Sequence, residues 1–265
     1  MKFSNLKKPI IIAEIGSNYN QNLETAFKLI DVAKSSGASY AKFQLFDAKS
    51  LYKTTSKNFK IFKKNELNPN WIPKLVSYCK KIDIKFICSV FDNASVSVVA
   101  NNKITDFKLA SSELNNYKLL KNIKNYKITN LILSTGMSSL SDVIDTVNFC
   151  KNLNLKNISL MQCSSLYPAK YNQLNLNVIK TFKKYFNLPI GFSDHSLDIL
   201  PSITAVGVGA TFFEKHITLD KNQLGPDHHY ALNPVEFKQY VKDINNSFKC
   251  LGSSEKNYLI NEKLY

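Results

Sequence analysis

Arginine is absent from this 265-residue sequence, so all 35 basic residues are lysines. Base-edge readout and bidentate phosphate clamps rely on the guanidinium fork, and no nucleic-acid module is recognisable. The formal charge of +15 therefore reads as a solvated lysine surface that also draws in small anions; a nucleic-acid partner is not expected. Cysteine is scarce and scattered: Cys79, Cys88, Cys150, Cys163 and Cys250 form an odd set without a C-x-x-C pair. That argues against a disulfide framework and a structural zinc site and leaves them as small core filler. No apolar run reaches the length of a membrane span. The run from Ile10 to Ile15 is broken by Glu14 and makes a poor signal peptide, so a cytoplasmic protein without a membrane partner is expected. The turn after it, Gly16-Ser17-Asn18-Tyr19-Asn20, lacks the G-x-G-x-x-G of dinucleotide-binding sheets, and no Walker loop follows.

What is present is an alternation. With 44% hydrophobic and 21% charged residues, the chain can bury a large core. Short apolar runs at 10–15, 40–44, 85–89, 106–110, 130–134, 157–162, 189–192 and 210–216 predict strands. Helical patterns lie between them at 23–35, 70–81, 94–101, 117–124, 139–152, 176–186, 197–208 and 234–251. Asn93, Ser138 or Ser139, and Asn233 before Pro234 offer N-caps, and Gly37 a C-terminal stop. Eight strand–helix pairs predict parallel strands closed into a (β/α)8 TIM barrel, one domain spanning residues 1–265. A doubly wound open sheet is the runner-up. The longest irregular stretch, 47–68, suits a lid or binding loop.

In such a barrel, chemistry sits at the C-terminal strand ends, and the polar residues fall there. Two segments stand out. One delivers Glu214, Lys215 and His216, with Asp227 brought back by a turn; the other delivers Ser193, Asp194 and His195. Two imidazoles plus a carboxylate such as Glu14 suit a divalent ion such as Mn2+. A Cys163 ligand fits less well, because it faces away on strand six. His228 and His229 read as solvated loop residues or substrate contacts. Lys42 and Lys108 lie within strand patterns, where an unpaired charge is costly. Together with Ser and Thr at neighbouring strand ends, they read as a cradle for phosphate and carboxylate.

The chain resembles the sialic acid synthase (nonulosonate synthase) family over nearly its whole length. The carriers are Ala13-Glu14-Ile15-Gly16, Ala41-Lys42-Phe43-Gln44, Phe107-Lys108-Leu109-Ala110-Ser111-Ser112-Glu113, Leu133-Ser134-Thr135-Gly136-Met137, Cys163-Ser164-Ser165-Leu166-Tyr167-Pro168, Gly191-Phe192-Ser193-Asp194-His195-Ser196, Glu214-Lys215-His216-Ile217-Thr218-Leu219-Asp220 and Gly225-Pro226-Asp227-His228. The resemblance implies condensation of phosphoenolpyruvate with an N-acylated aldose, with loss of phosphate. It implies that Lys42, Ser89, Lys108, Ser111, Ser134 and Ser193 hold phosphoenolpyruvate, and that His195 and His216 bind Mn2+, with Mg2+ or Co2+ as alternatives. Gln44, Glu113, Tyr167 and Asp227 would meet the sugar, and Glu14, Glu113 or Asp227 would move protons. Full-length members carry an antifreeze-like domain that reaches into the partner subunit with an Arg. This sequence stops at Tyr265 without one, so the expectation is a barrel-only variant, a barrel completed by a separate antifreeze-like protein, or a fragment, with a second copy of the chain as the alternative partner. Gln162 stands where some members have His. Ser165 resembles the legionaminate and pseudaminate branches, whereas Asp227-His228 with Ala231-Leu232-Asn233-Pro234 resembles the neuraminate and legionaminate side. Other readings are an enzyme taking a phosphorylated sugar, which needs extra basic groups at the far end of the site, and a non-catalytic binding paralogue.

Overall fold

A computed structural model of the chain describes Phe3 and residues 8–258. Most of the basic N-terminal stretch and the last residues, up to Tyr265, lie outside the described residues. Eight parallel strands close into a barrel in chain order: β1 (Ile10–Gly16), β2 (Tyr40–Leu45), β3 (Lys85–Val90), β4 (Asp106–Leu109), β5 (Asn130–Ser134), β6 (Ile158–Cys163), β7 (Ile190–Asp194) and β8 (Phe212–His216). Closure comes from β1 pairing with β8, where Ile12 faces Glu214 and Glu14 faces His216. Both faces of each strand are covered, which is why the apolar runs are nearly continuous.

The helices are α1 (Leu23–Ser36), α2 (Ala48–Leu51), α3 (Lys57–Lys64), α4 (Ile72–Lys81), α5 (Asn93–Asn101), α6 (Tyr117–Ile123), α7 (Leu140–Asn152), α8 (Val178–Tyr185), α9 (Leu200–Gly207) and α10 (Pro234–Cys250). Local chemistry sets their ends. Asn22 caps α1, and Gly37, at φ 91°, closes it in the left-handed conformation that glycine adopts without strain. Ser139 with Asp142, and Asn233 with Glu236, form capping boxes on α7 and α10.

Three expectations are corrected. The 47–68 stretch is not irregular: it folds as α2 and α3, capped by Asp47 and Ser56. No residue of α3 is buried, so it lacks the core-facing stripe by which a sequence reveals a helix. The cap of α5 is Asp92, whose carboxylate accepts from the Ser95 amide, rather than Asn93. Helix α9 begins at Leu200, three residues later than the pattern at 197–208 suggests, because the Ser196 and Asp198 carbonyls accept from a buried lysine.

Inside the barrel the sequence period of two separates two layers. Below lies an apolar plug of Phe3, Ile10, Ile12, Tyr40, Ile87, Ile132, Met161 and Phe212. Gly191 is needed there, because a Cβ at that position would lie 2.4 Å from the Phe212 ring. Two residues further along the same strands, the inward positions become polar: Ile12 gives way to Glu14, Tyr40 to Lys42, Ile87 to Ser89, Ile132 to Ser134 and Phe212 to Glu214.

Candidate active site

Above the plug a cavity of 630 Å³ opens at the C-terminal ends of the strands. It gathers every candidate residue: Glu14, Lys42, Gln44, Ser89, Lys108, Ser111, Glu113, Ser134, Tyr167, Ser193, His195, His216 and Asp227 all line it. They come from β1 to β5, β7 and β8 and from the turns after β4, β6, β7 and β8. Residues more than 200 positions apart therefore share one rim.

The floor is ionic. Lys42 Nζ lies 2.6 Å from Glu14 Oε2 and 3.6 Å from Glu214 Oε1, and donates to Ser89 Oγ at 2.9 Å. Lys108 Nζ donates to Glu214 Oε1 at 2.6 Å. Gln44 Nε2 donates to Glu14 Oε1 at 2.6 Å. Burial disfavours the Lys42 charge, but Glu14 and Glu214 outweigh it and its pKa is raised. For Lys108, burial wins over the attraction of Glu214, aided by repulsion from Lys42, and the pKa falls. Burial pushes the Glu214 carboxyl up, yet Lys108 and Lys42 together drive it down. Two lysines thus sit beside two carboxylates, so the floor carries almost no net charge and the lysines can exchange partners when an anion enters.

The His residues occupy the β7–β8 side. The Ser164 carbonyl, 2.6 Å away, can only accept, so His195 Nδ1 carries the proton and Nε2 presents a lone pair, 3.1 Å from Ser193 Oγ. Burial, with the nearby His216, holds His195 down to about 3, so the ring is neutral. The two imidazole centroids are 5.7 Å apart. The Tyr167 ring covers His195 at 4.2 Å, and the Tyr230 ring meets His216 at 5.0 Å. His216 Nδ1 is buried with no hydrogen-bond partner and lies 3.9 Å from Asp227 Oδ2. A lone-pair imidazole beside an orphaned imidazole nitrogen fits a borderline divalent ion completed by water or substrate oxygens. Among the described residues, no group of three or more His, Cys, Asp or Glu is placed to hold an ion without such help.

The structure separates residues that the sequence pattern grouped. Lys215 and Asp194 do not reach the cavity: they point outward and pair at 3.1 Å with no exposure. Cys163 does reach it, against expectation, with Sγ 3.2 Å from Ser111 Oγ. His228 is neither solvated nor in the cavity. It is buried, with Nδ1 2.7 Å from Thr218 Oγ1 and Nε2 3.0 Å from Asn20 Oδ1. Glu214 is the central floor carboxylate; its strand-end position was legible but no partner was. Tyr230 sits in a turn with no strand-end signal and donates to Asp227 Oδ1 at 2.6 Å.

The sequence profile of the NeuB family matches residues 29–256. The chain belongs to the NeuB family. Among curated proteins, this NeuB-family barrel is 38% identical to an N,N'-diacetyllegionaminic acid synthase of Campylobacter jejuni, covering 95% of this chain and 80% of that protein. It is 34% identical to an N-acetylneuraminate-9-phosphate synthase of Mus musculus, covering 96% and 76%. Among solved structures, an N-acetylneuraminic acid synthetase from Leptospira borgpetersenii superposes with a TM-score of 0.93 at 28% identity, over 100% of this chain and 94% of that one.

Proposed function

We propose that this chain condenses phosphoenolpyruvate with an N-acylated aldose to give a nine-carbon 2-keto acid and phosphate. The observation that carries the reading is the floor: two buried lysines, each beside a carboxylate, beneath a pair of imidazoles in one cavity. The names of the relatives, synthases of legionaminic and neuraminic acids, agree with it.

Phosphoenolpyruvate carries a phosphate and a carboxylate. Lys42 and Lys108, with the hydroxyls of Ser89, Ser111, Ser134 and Ser193, are the groups that would receive them and hold C3 toward the mouth. His195 and His216 would hold a divalent metal, Mn2+ by choice and Mg2+ or Co2+ as alternatives. Bound there, such an ion supplies Lewis-acid polarisation of the aldehyde oxygen. Gln44, Glu113, Tyr167 and Asp227, which line the same cavity, are the groups that would orient the sugar. In the reaction, C3 forms the new bond to the aldehyde carbon, whose oxygen takes up a proton. Water adds at C2, and the C2–O bond to phosphate breaks. Glu14, Glu113 and Asp227 line the same space and are the proton carriers of these steps.

The test is incubation with phosphoenolpyruvate, Mn2+ and N-acetylmannosamine or a diacetamido hexose, measuring released phosphate and the nine-carbon acid. His216→Ala is expected to abolish metal-dependent turnover while circular dichroism stays unchanged. Unaltered turnover would remove His216 from the metal, and no phosphate release with any such sugar would sink the reading as a whole.

A further inference from the structure

The cavity has two chemically different walls. The floor bears the lysines, whereas the mouth above β2 and β3 is apolar. Phe46 directly follows β2 and Phe91 directly follows β3, each beyond the floor residues Lys42 and Ser89 of those strands. Leu51 and Tyr52 at the end of α2, and Ile61 and Phe62 of α3, complete the patch. Its rings form one cluster: Phe46 meets Phe62 at 5.4 Å and Phe91 at 5.6 Å, and Phe62 meets Tyr52 at 4.7 Å. Among the described residues, no lysine lines the cavity besides Lys42 and Lys108, and both are engaged by carboxylates. The lysines of α3 are exposed and none reaches the cavity; Lys63 is held by Glu66 at 2.6 Å.

A sugar whose aldehyde is held at His195 and His216, on the β7–β8 side, would extend its far end across the mouth toward this β2–β3 patch. A phosphate at that far end would meet no lysine of the described residues and would lose its water against rings, a costly arrangement. A methyl or acyl group there gains from burial. We infer that the patch of Phe46, Leu51, Tyr52, Ile61, Phe62 and Phe91 selects an uncharged sugar carrying an apolar substituent, such as a deoxy or acylamido carbon, at the end remote from the aldehyde, and rejects sugars phosphorylated there. This deepens the reading above and rests on it.

The experiment measures phosphoenolpyruvate-dependent phosphate release with Mn2+ and three sugars: N-acetylmannosamine, its phosphate ester at the terminal carbon, and a diacetamido trideoxyhexose. The trideoxyhexose is expected to exceed the phosphate ester in kcat/KM by about a hundredfold or more, the scale on which pockets discriminate. Ile61→Lys, at a half-exposed position that tolerates the change, should shrink that ratio by about tenfold through one new charge-assisted contact. Preference for the phosphate ester, or a ratio unmoved by Ile61→Lys, overturns the inference while leaving the condensation intact. Silence with all three sugars sinks the condensation instead. Calorimetric binding of the sugars to the phosphoenolpyruvate-loaded protein then reads the wall alone, and tightest binding of the phosphate ester, or no binding of any sugar, overturns it.

Discussion

Strands β7 and β8 carry two buried ionic clusters back to back, one on each side of the barrel wall. On the outer side, Lys215 Nζ reaches Asp194 at 3.1 Å, the Ser196 carbonyl at 2.6 Å and the Asp198 carbonyl at 3.1 Å. Asp194 accepts from the Ser196 amide and hydroxyl and from Ser202 Oγ, and Ser202 continues to Tyr240. Every polar atom in that cluster is satisfied. On the inner side, Glu214 Oε2, His216 Nδ1 and Glu14 Oε2 have no aligned hydrogen bond, although Glu14 Oε2 lies against the Lys42 ammonium. The same alternation that sends Ser193, Glu214 and His216 inward sends Asp194 and Lys215 outward. Charge and burial are similar on the two sides, and completeness differs. A saturated network holds the wall together, whereas one with open valences is set up for a ligand.

Changes at each cluster should show that division. The largest expected effect is on the outer side. Lys215→Met leaves Asp194 buried without its cation and should lower unfolding free energy by about 3–5 kcal/mol, read from denaturant midpoints; the double variant with Asp194→Leu should recover most of that. A loss under about 1 kcal/mol would mean that the outer cluster is not what holds β7 to β8. On the inner side, Lys108→Ala should raise the phosphoenolpyruvate concentration for half-saturation about thirtyfold, about 2 kcal/mol. Its denaturation midpoint should fall less than that of Lys215→Met, since the buried Glu214 keeps a second cation, Lys42, at 3.6 Å. The reverse pattern would exchange the roles of the two clusters.

Acid should discriminate them next. In the metal-free protein, His195 is held from 6.5 down to about 3, so the unfolded chain takes the proton first. Stability is then full above pH 6.5 and falls as pH drops toward 3, by at most about 1.4 kcal/mol per pH unit. Glu214, lowered by Lys108 and Lys42, adds its own loss only below its unfolded value of 4.5. Between pH 6.5 and 4.5, His195→Asn should therefore flatten the stability profile relative to the parent; parallel profiles would show that His195 is not held neutral. The smallest expected effect is Ser202→Ala, about 1 kcal/mol, since Tyr240 and the remaining donors keep most of the outer network.

Much of this was legible because strand parity is rigid. Once Ile12 and Tyr40 are read as core, Glu14 and Lys42 must share their face, and each predicted site residue does line the cavity. Parity also required Lys215 to oppose Glu214 and His216, yet a run of three polar residues at a strand end invites reading them together. Pairings across the barrel were invisible: nothing near Glu214 in sequence announces Lys108, 106 positions away. Helices α2 and α3 escaped because their apolar side chains face a cavity rather than a core, so Phe46, Ile61 and Phe62 carried no signal of a shared wall. Tyr230 was missed because loop conformation, rather than period, aims it, whereas Cys163 lies on β6 two residues beyond the plug residue Met161, so parity turns it inward and the reading that faced it away was mistaken.

Among the described residues, the plug of Phe3, Tyr40, Phe212 and their neighbours fills the barrel beneath the lysines, while the cavity opens at the C-terminal strand ends. Whatever settles on the lysines must arrive before the larger partner stacks above it. On the proposed placement of phosphoenolpyruvate, inorganic phosphate would form at the bottom and wait beneath the nine-carbon product, so the sequence of loading would dictate the sequence of departure.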